Sequence, residues 1–238
     1  MAQEVNEMSN CNLSADISRI QLRRELTYNS AVVVQIDISY PECCLGCSRH
    51  ARRVQDRINA TNLALANAFF NYAVNRLYPQ AVEQYLNAQE NNFPFNPYEA
   101  YMQYEVTLNS NGLLSMYFDR YEYTGGAHGN TVRSSCTWSL FTGRSLTLSN
   151  LYNYNDDYRR TIINYILEQA SANMAQNPNI YFDNYRDLIV RTFNPCSFFL
   201  TPQGVAIYYQ QYDIAPYSTG IVVFVIPYEN LGISVNLM

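Results

Sequence analysis

Cys43, Cys44, Cys47 and His50 crowd into one short stretch, Cys-Cys-x-x-Cys-x-x-His. Thiolates and imidazole are the usual zinc donors, and this spacing brings them within reach of one ion. Structural zinc sites usually draw their ligands from two separated pairs, so free thiols in a reducing compartment are the standing alternative. A Cys44 to Cys47 redox pair lacks the surrounding βαβ pattern such pairs favour. The second candidate is His128, in Gly125-Gly126-Ala127-His128-Gly129. It reads either as a general base or ligand contact, or as part of a tight connection whose glycines adopt positive φ. No serine or cysteine sits in an elbow motif beside it, so the connection is the expectation. The third candidate gathers Tyr208, Tyr209, Tyr212 and Tyr217 around Asp213. Tyrosine rings stack on sugars and a carboxylate accepts hydroxyl protons, but alternating tyrosines also line half-buried strands, and Pro216 with Gly220 is turn chemistry. Glu99, Glu105, Asp119 and Glu122 are scattered along strands and single out no acid and base pair.

Composition narrows the chemistry further. All 15 basic residues are arginines; there is no lysine. Phosphate-binding loops of the Gly-Lys-Ser/Thr type, kinases with their paired lysine, and Schiff-base enzymes are therefore excluded. With only two histidines as well, the chain is expected not to be an enzyme. The formal net charge of -5 argues against a phosphate-neutralising surface, so no nucleic-acid partner is expected. The 22 tyrosines and 27 asparagines supply aromatic faces and uncharged hydrogen-bond groups, which suit specific contact with another molecule. No run of about 18 apolar residues occurs, and the first ten residues lack a basic start and apolar stretch. These features point to a cytoplasmic chain without a membrane span, with spore or cell-envelope association as the alternative.

The elements that must position these residues follow from periodicity. Residues 20–28 and 31–40 read as strands joined at Asn29-Ser30, with Val32, Val34, Ile36 and Ile38 on one face. A Cys-rich loop should follow Pro41. Val54, Ile58, Leu65, Phe69, Ala73 and Leu77 then mark a long helix, which Pro79 breaks or kinks ahead of a second piece carrying Val82, Tyr85 and Leu86. A loop over 91–97 leads into a hairpin over 98–123 that turns at Asn109-Ser110-Asn111-Gly112. A strand over 131–139 and a turn at Thr142-Gly143-Arg144 complete this half. Helical spacing returns over 158–174, capped by Asn155-Asp156-Asp157, then over 186–193. Strands over 197–200, 205–209 and 221–226 end the pattern. The order predicts an α+β fold of two packed subdomains, with antiparallel sheets each bearing one main helix. Its divisions are a polar tail over 1–16, a first subdomain over 17–140 and a second over 141–238.

Two stretches carry more than generic patterning. They are Tyr121-Glu122-Tyr123-Thr124-Gly125-Gly126-Ala127-His128-Gly129 and Tyr212-Asp213-Ile214-Ala215-Pro216-Tyr217-Ser218-Thr219-Gly220, the second followed by Ile226-Pro227-Tyr228. Tyr40-Pro41, Ile58-Asn59 and Thr142-Gly143-Arg144-Ser145-Leu146-Thr147-Leu148 support them. From about Ile17 onward the chain resembles the extracytoplasmic domain of the bacterial anti-sigma-V factor, which senses lysozyme. The same domain type is an accessory region of some peptidoglycan deacetylases. The resemblance implies a two-part α+β fold and a binding role toward a protein such as a lysozyme or toward a peptidoglycan fragment. It does not carry over deacetylase activity, because the histidines and carboxylate that hold that metal belong to a separate catalytic domain. A structural or interaction protein of a cell or spore layer is the alternative function, and a metal-dependent enzyme using the Cys cluster is a further one. Gly125, Gly126, Gly129, Pro216, Gly220 and Pro227 are expected to be architectural.

Overall fold

The computed structural model describes residues 13–152 and 157–231. Most of the polar tail, and Asn155 and Asp156 of the expected cap, lie outside the described residues.

A five-stranded sheet runs in the order β1-β2-β3-β4-β5: β1 Asp16–Tyr28, β2 Ala31–Cys44, β3 Tyr98–Ser110, β4 Leu113–Tyr123 and β5 Asn130–Ser139. Asp16 opens β1 instead of closing the tail. The β3-β4 hairpin turns where expected, with Asn111 and Gly112 at φ 52° and 74°, the left-handed pair a two-residue hairpin turn demands. Helix α1, Arg49–Tyr72, starts at Ser48, whose hydroxyl accepts from the Ala51 N–H at 3.0 Å. Val54, Ile58, Ala66 and Phe69 are its buried stripe. Pro79 does not break the helix. A π-helical turn over Ala73–Leu77 leads without a gap into α2, Tyr78–Asn91, where the proline sits in the first turn. Proline lacks an N–H and crowds the carbonyl four residues back, and the widened turn accommodates both defects while Ala73, Leu77 and Ala81 stay buried.

The first sheet is not wholly antiparallel. β2 and β3 pair in parallel, Val34 beside Tyr98 through Ile38 beside Met102. Parallel neighbours need a long crossover, and α1 with α2 provides it. β2 leaves β3 after Ile38 yet continues along β1 to Cys44, so Pro41 and Cys43 lie in a strand, not in a loop. The edge freed there is satisfied by α1. Asn59 donates to the Cys43 carbonyl at 2.9 Å and accepts its N–H at 2.8 Å, and Asn62 donates to the Pro41 carbonyl at 3.0 Å.

The second half is a three-stranded antiparallel sheet, β6 Phe198–Leu200, β7 Gly204–Tyr209 and β8 Val222–Pro227. The short helix α3, Leu148–Leu151, enters it, and α4, Tyr158–Gln176, and α5, Tyr185–Thr192, pack on one face. Asp157 precedes α4 without a side-chain cap. All of β7 is buried, because its other face, through Phe199, Ala206 and Tyr208, meets Tyr117 on the outer face of the first sheet. The architecture is α+β, with one sheet backed by α1 and α2 and the other by α4 and α5. Among the described residues no helix is long and apolar enough to cross a membrane.

Candidate functional site

The Cys cluster does not assemble. Cys43 is buried in the first core, whereas Cys44, next to it on β2, faces the other way and is exposed, and Cys47 is exposed beyond the end of the strand. His50 turns its Nε2 to the Phe141 carbonyl at 2.5 Å. Burial pushes the Cys43 thiol up to about 11, with Cys44 and Asp16 adding to the effect, and this opposes the thiolate that a metal requires. Among the described residues no group of three or more histidines, cysteines or carboxylates is placed to hold a metal ion. Cys43, Cys44, Cys47 and His50 therefore do not present four donors to one ion.

Tyr208 and Tyr209 are likewise removed from any sugar-stacking surface. Both are buried; Tyr209 donates to the Ile189 carbonyl at 3.1 Å, and Tyr208 lies against Phe199 and near Ser135. Asp213 organises its own turn by accepting the Gln210 N–H at 2.7 Å. Burial pushes its carboxyl upward, against the pull of that N–H toward the anion.

The two signature loops, by contrast, converge. The His128 ring stacks on Tyr217 with centroids 3.8 Å apart and planes 19° from parallel. Its Nε2 lies 3.4 Å from the Tyr212 hydroxyl and its Nδ1 is 3.0 Å from the Gly129 carbonyl. Tyr212 is 50 % exposed and holds φ 67°, a left-handed backbone that costs a non-glycine residue about 1 kcal/mol. Tyr217 stands 6.0 Å from Tyr212, centroid to centroid. The row continues across the first sheet. Gly129 is buried under the Tyr121 ring, and Tyr121 stacks on Tyr101 at 6.0 Å. A strip of rings therefore runs from Tyr212 through Tyr217 and His128 to Tyr121 and Tyr101.

Two residues that the sequence reading passed over hold the strip together. Gln210 accepts the Arg133 N–H at 2.9 Å and donates to its carbonyl at 2.7 Å, while Gln211 accepts the Thr131 N–H at 2.7 Å. Their amides thus continue the ladder along the edge of β5 as a strand would. The signal was present, since paired glutamines at a strand end carry the donors and acceptors an unpaired edge needs.

The loop glycines divide by cause. Gly125 and Gly220 have positive φ, 82° and 73°. Gly126 and Gly129 are not among the positive-φ glycines. Gly129 is required because a Cβ would enter the Tyr121 ring, whereas one at Gly126 would meet nothing nearer than 4.0 Å. Pro216, at φ -60°, precedes the short turn Tyr217–Thr219, and Pro227 closes β8.

Nothing in the strip forms a nucleophile with a base. His128 meets two tyrosines and a backbone carbonyl, an arrangement that can hold a ligand by stacking and hydrogen bonding.

Comparison with known proteins meets the two halves separately. Residues 28–131 match the family model described as Deacetylase PdaC, and residues 149–229 match that of a protein of unknown function, DUF3298. No curated protein sequence matches the chain. A DUF3298-family crystal structure from Bacteroides fragilis superposes with a TM-score of 0.70 at 20% identity, over 94% of this chain and 96% of that one. A DUF3298-family protein from Pseudomonas aeruginosa PAO1 gives 0.61 at 19% identity, over 95% and 98%. At such identities the likeness is one of fold. The chain thus joins a segment similar to the PdaC family model to a segment similar to the DUF3298 model, in the two-part fold seen in DUF3298-family structures.

Proposed function

We propose that the protein is a non-catalytic binding module that receives its ligand, a protein such as a lysozyme or a cell-wall glycan, on the aromatic strip. The observation that carries this reading is the convergence of His128 with Tyr212 and Tyr217 from loops in different halves of the molecule. A half-exposed ring kept on left-handed backbone is a costly feature for mere scaffolding. The net charge of -5 favours encounter with a cationic protein such as lysozyme, in line with the anti-sigma-V resemblance. The PdaC match fits an accessory region that accompanies catalysis without performing it.

The test is a pull-down at low salt against a cationic lysozyme and against peptidoglycan fragments, with wild type beside a Tyr212→Ala, His128→Ala double variant. Capture by wild type and its loss in a variant that stays folded, with its melting temperature lowered by only a few degrees, supports the reading. A second reading, a structural protein of a cell or spore layer, draws on β1, which lies at the edge of its sheet. Self-assembly with capture of neither ligand would select it.

A further inference from the structure

The second half covers β4, β5 and the Leu108 end of β3 on the outer face of the first sheet. Over β1, β2 and the rest of β3 that face forms an open cleft of about 650 Å³, within the size range of small-ligand sites. Arg19, Arg23, Gln35, Asp37, Tyr101 and Gln103 line it, with Glu25 also contributing. Tyr101 is the last ring of the aromatic strip, so the cleft and the strip are continuous.

The carboxylates and arginines here are unequally engaged. Asp37 accepts from Arg23 at 3.0 Å and from Gln21 at 2.7 Å, which neutralises the carboxylate and fixes both donors. Arg19 has no carboxylate partner among the described residues; its guanidinium instead donates to the buried Ser39 hydroxyl at 3.0 and 2.6 Å. A neutral hydroxyl orients that cation without cancelling its charge. Arg24 alternates with Arg23 along β1 and pairs with the core residue Ile36, so its side chain lies on the opposite face from the cleft. An acidic chain therefore holds a cleft with an aimed, uncompensated guanidinium group beside amides and a tyrosine ring. A guanidinium fork matches a carboxylate, amides match hydroxyls, and a ring matches the apolar face of a sugar.

We infer that this cleft binds an oligosaccharide carrying carboxylate groups. The acid group meets Arg19, and the sugar hydroxyls meet Gln35, Gln103 and Tyr101. The inference rests on the binding role proposed for the strip, and it adds a ligand class and a second set of contacts.

The test is titration calorimetry of the full chain with tetragalacturonate as the acidic probe, neutral chitotetraose, and a short polyglutamate peptide. Tetragalacturonate is expected to bind about tenfold or more tightly than either other probe, and to weaken by a similar factor in Arg19→Gln. Arg24→Gln, on the opposite face of β1, is the control and should bind unchanged, and added salt should weaken the acidic probe most. The inference is overturned by equal binding of polyglutamate, by an unchanged affinity in Arg19→Gln, or by no binding of tetragalacturonate. Chitotetraose that binds as tightly, and is lost in Tyr212→Ala, would overturn the acidic cleft while leaving the strip in place. Capture of lysozyme with none of the three probes bound would do the same.

Discussion

Two regions carry the residues with the most reactive side chains, and they end differently. In the Cys43 to His50 stretch the residues are neighbours in sequence but part company in space: one thiol buried, two exposed, and the imidazole turned to a backbone carbonyl. His128 and Tyr212 are 84 positions apart yet come within 3.4 Å of each other. Consecutive residues on a strand are driven to opposite faces by the pleat, so local density of donors works against a shared site. Distant loops meet when the elements between them pack, and here the meeting is made firm by Gln210 and Gln211 on the edge of β5. Stability is the part of the first region, and recognition is the role proposed for the second.

The largest expected effect tests the first assignment. Asn59→Ala strands both the N–H and the carbonyl of Cys43 beside the core, and should cost about 2 to 4 kcal/mol by the penalty for unpaired polar groups. Chemical denaturation measures it, and a loss below about 1 kcal/mol would show that water replaces the asparagine and that this region is not held as described.

Next comes Gly129→Ala, which drives a methyl into the Tyr121 ring and should cost about 1 to 3 kcal/mol, beside Gly126→Ala, whose Cβ enters open space. Equal melting temperatures for the two variants would break the distinction drawn between the loop glycines.

The thiols sharpen the comparison in a third way. The folded Cys43 thiol titrates at about 11 against an ordinary value of 9.0. Between those values the unfolded chain has lost the proton and the folded chain keeps it, so folding stability falls as pH rises through this window. Cys43→Ala should make that decline shallower when unfolding is followed from pH 9 upward. Site-resolved alkylation of the native protein should modify the exposed Cys44 and Cys47 well before Cys43. Rapid native labelling of Cys43 would contradict its burial.

The smallest stability effect belongs to the recognition region. His128→Ala removes one stacked pair and should cost about 0.5 to 1 kcal/mol, while lowering affinity for whichever of lysozyme or glycan the wild type captures. A large drop in melting temperature without loss of capture would make the ring a structural pin.

Much of the fold was written in local pattern. The β3-β4 turn, the stripe Val54, Ile58, Phe69 on α1, and β5 were readable because a left-handed dipeptide and a hydrophobic period need only neighbours to be recognised. The lone loop after Pro41 was misread because proline demotes a strand in general, whereas here α1 supplies the donors of Asn59 and Asn62 to the carbonyls of Cys43 and Pro41. The continuity of α1 through Pro79 depends on a widened turn that no propensity announces.

By itself, then, the sequence determined the α+β pattern, the main turns, the absence of lysine chemistry and the two signature loops. Only the tertiary structure decided that β2 and β3 run parallel, that Tyr208 and Tyr209 are interior, that the thiols do not share an ion, and that His128 lies on Tyr217. The reason is physical. Periodicity and turn chemistry act over a few residues, whereas strand pairing, burial and the convergence of side chains are settled by which apolar faces cover one another, and every element takes part in that choice.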